Sequence, residues 1–367
     1  MTTTEPAPTT PLDPDAIDGF SEVVFGGGLA FVELTLTYLG RQLGLYEALR
    51  GSPCTAEELG AVAGVDVRYA REWLEQQAAA GTLTVDDAAA VPEARRFTLP
   101  EAHAVVLLDE EHCAYAGAIA DVVGAVARTV DRVADAIRTG EGVPFAAYGV
   151  HDMQAGFTRP AFANALVPAW LPQLPDVHAR LEAGEALHIA DVGCGEGWAA
   201  IYLAEAYPNV TVDGFDLDDA SIALARRHVA ARGLSDRVRF EVQDVTATTP
   251  AGRYDLVLAV EVVHDLPDPV DVLGAMDRMS RPDGAVLIID ENAAEAYEAP
   301  ADPVQRFLYA VSVLHCLPAG RTHEHAAATG TVMRPDTMRA YASRAGFTTV
   351  DVLPIEHPFF RFYRLGR

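Results

Sequence analysis

The chain has 367 residues, half of them hydrophobic, which suits about two domains around a substantial core. Its 53 acidic residues against 27 basic ones give a formal charge of −26, a surface repelled by phosphate backbones and anionic membranes. Every Lys-or-Arg position is Arg, so no lysine Schiff base can form and pyridoxal-dependent catalysis is excluded.

Cys54, Cys113, Cys194 and Cys316 stand far apart, without zinc spacing, and read as free thiols of a reducing compartment. No apolar run of membrane length is evident, and the N-terminus lacks the charged-then-apolar order of a signal peptide. A cytoplasmic protein is expected.

Residues 1–18, rich in Thr, Pro and Asp, read as a disordered tail. From Leu29 to Leu49 apolar residues recur at helical spacing, which predicts one or two amphipathic helices. So apolar a stretch wants a partner, such as a second subunit. Thr55 with Glu58 forms a capping-box pattern opening a helix over 56–63. Asp66 caps a second helix over 67–80, and Gly81 ends it. Leu83 and Val85, then 97–99, suit two short strands flanking a turn. This order resembles a winged-helix module. Residues 51–110 carry 11 acidic residues against 4 Arg, the wrong balance for reading DNA, so a dimerisation or packing role is expected.

Residues 111–138 read as a helical connector. Residues 145–157, with Tyr148, His151, Asp152, Met153 and Gln154, suit either a lid or interdomain packing, and a helix is expected over 159–182. From His188 onward strand and helix alternate. Strands are predicted at 189–192, 210–215, 238–242, 256–260 and 286–289, and helices at 198–206, 219–232 and 269–279. That is the pattern of an α/β, Rossmann-like, doubly wound parallel sheet. Further helical segments are expected over 303–317 and 334–345, and the runs 350–354 and 359–365 suit an antiparallel hairpin. The domains expected are therefore a tail (1–18), a winged-helix unit of dimerisation type (19–110), a helical connector and lid (111–183) and an α/β domain (184–367).

The informative stretch is D-V-G-C-G-E-G, where Gly193, Gly195 and Gly197 crowd a turn between a buried strand and a helix. Glycine lets backbone approach a ligand closely, and the helix start presents free N–H groups. Asp216 ends the second strand, about 20 residues past the turn, a spacing that suits a carboxylate on a ribose diol; the alternative is a turn aspartate. Asp244, after the third strand, suits an adenine amino group, with the Val245 N–H on a ring nitrogen, or else a turn cap. The turn lacks the G-x-G-x-x-G spacing of dinucleotide sites, and Glu196 would sit badly beside a pyrophosphate. A phosphate-free, cationic adenosine compound, S-adenosylmethionine, fits better.

In order, D-V-G-C-G-E-G, G-F-D-L-D, V-Q-D-V and Y-D-L-V-L-A-V-E-V-V-H-D resemble the motif series of class I S-adenosylmethionine-dependent methyltransferases. The whole chain is similar to the subgroup with an N-terminal winged helix, which includes plant-type O-methyltransferases and actinobacterial homologues of secondary metabolism. The resemblance implies a seven-stranded sheet with its last strand antiparallel, and a homodimer formed through the N-terminal domain. It also implies that Asp191, Gly193, Gly195 and Gly197 shape the methionine pocket. Asp216 and Leu217 would hold the ribose side, Asp244 and Val245 the adenine, and Glu261 the methionine ammonium.

His264, at the carboxyl end of the fourth strand, is the sharpest catalytic candidate. Plant-type enzymes place their base in a similar V-x-H-D segment, and an imidazole can take the acceptor's proton as methyl transfers. His151 is a second base candidate. Phe157, Tyr309, His315 and Met333 are candidate walls of the acceptor pocket, with plain core as the alternative. His315 with Cys316 lacks further close ligands, so no metal is expected. The reading is methyl transfer from S-adenosylmethionine to a small aromatic or electron-rich molecule, with O-methylation favoured and C- or N-methylation, for example of an indole, open. No nucleic-acid or membrane partner is expected. The rival is a metabolite-sensing winged-helix regulator, and a third possibility is a fold that keeps the cofactor as scaffold.

Overall fold

A computed structural model describes residues 12–149, 151–247 and 251–367, in two compact units divided after Leu108. The first unit opens with helix α1 (Pro14–Gln42). Asp13 caps it by accepting the Asp15 N–H, and Pro14 occupies the first turn, where no N–H is needed. Helix therefore replaces the tail expected for residues 14–18. Gly26, Gly27 and Gly28 blur the periodicity but do not break the helix, so α1 begins well before Leu29. It is long and apolar enough, by length and composition, to cross a membrane, which corrects the expectation that no such run exists.

After α2 (Leu45–Leu49) come α3 (Ala56–Ala63), with the Thr55–Glu58 capping box formed in both directions, and α4 (Val67–Ala79), capped by Asp66. Strands β1 (Thr84–Val85) and β2 (Phe97–Thr98) pair antiparallel as the wing, and α5 (Glu101–Leu108) closes the unit. Tyr46, Leu49, Leu59, Leu74 and Phe97 are buried at its centre.

In the second unit, α6 (Ala118–Thr139) and α7 (His151–Ala161) precede the sheet. The single helix expected over 159–182 is interrupted: a π-helical segment, Phe162–Trp170, and a 3-10 turn separate α7 from α8 (Pro175–Glu182). Pro160, Pro168, Pro172 and Pro175 each remove an N–H donor, so one regular α ladder cannot run through.

The α/β part runs β3 (His188–Val192), α9 (Trp198–Ala206), β4 (Thr211–Asp216), α10 (Asp219–Ala231), β5 (Val238–Val242) and β6 (Tyr254–Val260). It continues through α11 (Pro269–Met279), β7 (Ser280–Glu291), α12 (Pro303–Val311), α13 (Leu317–Gly320), α14 (Pro335–Ala345), β8 (Thr349–Val352) and β9 (Phe360–Gly366). The seven strands lie in the order β5-β4-β3-β6-β7-β9-β8. The first five are mutually parallel, and β9 runs antiparallel between β7 and β8.

Successive residues of one strand feed opposite cores. Ile189, Leu256 and Leu287 join Ile201 and Trp170 on one face, while Ala190, Val257 and Ile288 join Met276 and Tyr363 on the other. The chain leaves β3 for β4 on one side and later returns to β6 on the other. That switch opens a crevice at the carboxyl ends of β3, β4 and β6. Strand β7 outruns its expected span of 286–289, and its last two residues, Asp290 and Glu291, reach the same edge.

Candidate active site

The glycine turn sits at this edge, with all three glycines in the left-handed region. A Cβ on Gly197 would lie 2.3 Å from Phe240 Cζ, so only a hydrogen fits. On Gly195, at φ +50, a Cβ would meet nothing within 4 Å. Gly197 serves packing, whereas Gly195 leaves bare backbone facing open space. Gly193 N and Cys194 N both donate to Phe215 O, and Gly195 N donates to Asp216 Oδ2 at 2.9 Å. The other oxygen of Asp216 accepts from Asp218 N at 2.9 Å, which fixes the carboxylate in one plane. Burial raises the Asp216 carboxyl above its usual range, against these hydrogen bonds.

Asp191 is buried behind the turn, and its Oδ2 has no hydrogen-bond partner within the chain. Burial, then the charge of Asp216, pushes its carboxyl up to about 7. An orphaned buried carboxylate calls for a donor from outside the chain. Asp244 is exposed and accepts from Thr246 N at 2.8 Å and Thr246 Oγ1 at 2.6 Å. The turn-cap alternative for Asp244 is thus realised, while the residue also lines the crevice beside buried Val245 and exposed Leu217.

One cavity of about 1120 Å³ joins these residues to a second cluster. A drug-sized ligand fills roughly 300–1,000 Å³, so a cofactor and a small acceptor both have room. At the far end, Glu261 follows β6 at φ +57, a strained conformation for a side chain of this size. Burial pushes its carboxyl up to about 7, partly offset by His264.

His264 lies in the short turn Val263–Asp265 and is almost fully buried. Its Nδ1 is 2.7 Å from Asp290 Oδ1 and 2.8 Å from Glu291 Oε2, and its Nε2 is 3.2 Å from Asp265 Oδ1. Burial opposes a charged ring, but the carboxylates of Asp265, Glu291 and Asp290 outweigh it and hold the imidazole well above the usual histidine range. The donor atoms of His264, Asp290 and Glu291 lie close enough to hold an ion, and so do those of His264, Asp265 and Cys316, which corrects the expectation that Cys316 has no further ligands close by. The His264 Nδ1–H donates to Asp290 Oδ1 at 2.7 Å, whereas Glu291 Oε2, 2.8 Å from the same nitrogen, has no hydrogen-bond partner within the chain and acts on the ring through its charge.

Sequence reasoning did not single out Asp290 and Glu291. The signal was present as two carboxylates closing the apolar run A-V-L-I-I, where a buried strand rarely ends on paired charge.

Phe145, Tyr148, Met153 and Phe157 line the cavity. The side chain of His151, the second base candidate, lies outside the described residues. Phe157 packs against Phe307 with ring centroids 6.3 Å apart. His315 lines the cavity from a π-helical turn, Ser312–Cys316, its ring set edge-on to that of Tyr148 with centroids 4.4 Å apart. Two expected walls fall elsewhere. Tyr309 sits on α12 away from the lining positions Val304, Phe307, Leu308 and Val311, and its hydroxyl accepts from Arg334 at 2.8 Å. Met333 is buried in the core between the sheet and α11 and α14. His323 pairs with Asp268 at the surface, and His325 is exposed.

Residues 183–323 match the methyltransferase-domain family, and residues 30–109 match the Rv2258c-like winged HTH domain. The ubiquinone biosynthesis O-methyltransferase of Nitrosospira multiformis is 30% identical over 193 residues, which cover 52% of this chain and 74% of that protein. Among solved structures, the mitomycin 7-O-methyltransferase MmcR superposes with a TM-score of 0.67 at 22% identity, over 97% of this chain and 100% of that one. PigF, solved with S-adenosylhomocysteine, superposes with a TM-score of 0.71 at 17% identity, over 94% and 99%. At such identities the structures speak for the fold. The unpartnered Asp191 carboxylate, the bare backbone at Gly195 and the Asp216 carboxylate at the strand end fit an adenosine cofactor whose far end is cationic. With these residues in place and the sequence match beside them, the chain belongs to the class I S-adenosylmethionine-dependent methyltransferases, built here behind an N-terminal winged helix.

Proposed function

We propose that this methyltransferase acts on a hydroxyl oxygen of a small aromatic metabolite, as a cytoplasmic homodimer serving secondary metabolism. One observation carries the reading: a single cavity of about 1120 Å³ has the glycine turn at one end and His264 with its carboxylates at the other. Bound S-adenosylmethionine supplies a methyl group activated by a sulfonium.

The residues of this chain hold and orient. Asp216 accepts from the ribose hydroxyls, with Leu217 against the sugar. Asp244 and the Val245 N–H address the adenine, and Asp191 and Glu261 face the ammonium end. Phe157, with Phe145, Tyr148 and Met153, keeps water from the acceptor. Alignment of acceptor oxygen with methyl and sulfur supplies much of the rate, and His264 takes the acceptor's proton in the fraction of molecules whose ring is neutral. O-methylation is also what the names of the ubiquinone and mitomycin relatives print. Purified protein incubated with methyl-labelled cofactor and a panel of phenols tests this. Label in an ether product supports the proposal; label on carbon or nitrogen only, or retained cofactor without turnover, overturns it.

The winged-helix unit is read as an assembly element. Arg68, Arg71, Arg95 and Arg96 each pair with a carboxylate of the same unit: Glu72, Glu93, Glu75 and Glu58. Cations already neutralised are poor phosphate contacts. Along α1, Phe20, Phe25 and Phe31 are more than half exposed. A second copy of the chain covers that face in this reading. The carboxylate of Glu33, within the most apolar part of α1, disfavours hydrocarbon. Light scattering should give twice the chain mass.

A further inference from the structure

Besides the carboxylate oxygens Asp265 Oδ1 and Glu291 Oε2 beside His264, three polar atoms at the acceptor end have no hydrogen-bond partner within the chain: Tyr148 Oη, His315 Nε2 and Thr331 Oγ1. All three residues line the cavity, and their exposures are 1%, 8% and 1%. They belong to one patch. The Tyr148 and His315 rings meet edge to face at 4.4 Å. Gly330 lies against Ser312 and Leu317, which places Thr331 beside the turn that carries His315. A buried polar atom left unpaired is destabilising, so three in one patch mark a place where a ligand completes the hydrogen bonding.

The chemistry of that ligand follows from charge. Burial keeps the His315 imidazole below the usual histidine range and the Tyr148 phenol above its own, so the patch itself is neutral. Around it the cavity is lined by the carboxyl groups of Glu261, Asp265 and Glu291, and no Arg lines it among the described residues. The chain has no Lys at all. His264, the ring held cationic, is already surrounded by Asp265, Asp290 and Glu291. Burial pushes the carboxyls of Glu261 and Glu291 up, while His264 holds Asp265 below the usual carboxylate range against its burial, so a carboxylate on the acceptor would meet the charge of Asp265 and no guanidinium fork, the usual means of recognising it.

We propose that Tyr148, His315 and Thr331 form a polar subsite for an uncharged hydrogen-bonding substituent of the aromatic acceptor, such as an amide, and that the cavity rejects acceptors carrying a carboxylate there. This rests on the methyltransferase reading and narrows its substrate class.

The test uses the full chain saturated with S-adenosylhomocysteine, titrated calorimetrically with 3,4-dihydroxybenzamide, catechol and 3,4-dihydroxybenzoate. The benzamide should bind tightest, about tenfold or more over the benzoate, because it gains neutral hydrogen bonds and avoids the charge penalty. Tyr148→Phe keeps the ring against His315 and Thr331→Val keeps the shape. Each should lower the benzamide-to-catechol affinity ratio about fivefold. Benzoate binding as tightly as benzamide, no benzamide binding at its solubility limit, or an unchanged ratio in both variants overturns the subsite. Failure of the wild type to bind S-adenosylhomocysteine is read in a separate first titration and overturns the methyltransferase reading itself.

Discussion

The two ends of the cavity are made in different ways. The cofactor end comes mostly from one short stretch, Asp191 to Gly197, with carboxylates at the ends of neighbouring strands. Its geometry is backbone geometry: three left-handed glycines and a carboxylate pinned by two N–H groups. The acceptor end is gathered from five separated segments, around Tyr148, His264, Glu291, His315 and Thr331, and its geometry belongs to side chains. Backbone shape is written in adjacent residue types. Side-chain convergence depends on which strands and helices meet, and adjacent residues do not encode it.

The largest expected effect separates packing from binding within the glycine turn itself. Gly197→Ala forces a left-handed alanine against Phe240. The backbone costs about 1–2 kcal/mol and the overpacking about 1–3 kcal/mol more. Chemical denaturation should show a loss of several kcal/mol. Gly195→Ala, with open space above it, should cost only the backbone part, yet should block close approach of the cofactor. If both variants lost the same stability, the division of roles between these glycines would be wrong.

Asp216→Ala comes next. Removing a half-buried acceptor of charge-assisted hydrogen bonds should weaken S-adenosylhomocysteine about 100-fold by calorimetry, at about 1.5–3 kcal/mol for hydrogen bonds to a charged group. The acceptor end answers differently. His264→Gln should lower kcat about 100-fold while cofactor affinity changes less than about twofold. Because the carboxylates raise the His264 pKa, the neutral, proton-accepting ring becomes more abundant as pH climbs above 7. The rate of the wild type should therefore rise into the alkaline range, and the variant should lose that rise. A flat wild-type profile removes His264 as the base.

The smallest effect is a pH dependence of binding. With no cofactor bound, burial sets the carboxyls of Asp191 and Glu261 at about 7. A cationic ligand favours their ionised forms, so binding lowers both pKa values and releases protons. Affinity should fall as pH drops from about 8 to 6, by no more than about tenfold per pH unit for each group. Calorimetry in two buffers of different ionisation enthalpy measures the proton release. Proton uptake, or affinity independent of pH, would show that these carboxyls do not face the cation.

This contrast also explains what the sequence made legible. Alternating strand and helix from His188, and the positions of Asp216 and Asp244 at strand ends, follow from periodicity and turn chemistry. The antiparallel end of the sheet was implied by family resemblance and agrees with β9. The Gly26–Gly28 run hid the length of α1, because glycine weakens a helical pattern without always ending the helix. Tyr309 and Met333 looked like walls because aromatic and sulfur side chains suit cores and pockets alike. Only the rotation of α12 and the packing of α11 against α14 place them outside. Asp290 and Glu291 became visible when β7 was laid beside β6, which brings them to His264.

The most direct test of the central claim is a crystal structure of the full chain with S-adenosylhomocysteine. The account predicts the adenosine over the bare backbone at Gly195, both ribose hydroxyls within hydrogen-bond distance of Asp216, and the amino-acid end toward Asp191 and Glu261. A ligand seated elsewhere, with the Asp191 carboxylate still unpartnered, would contradict it.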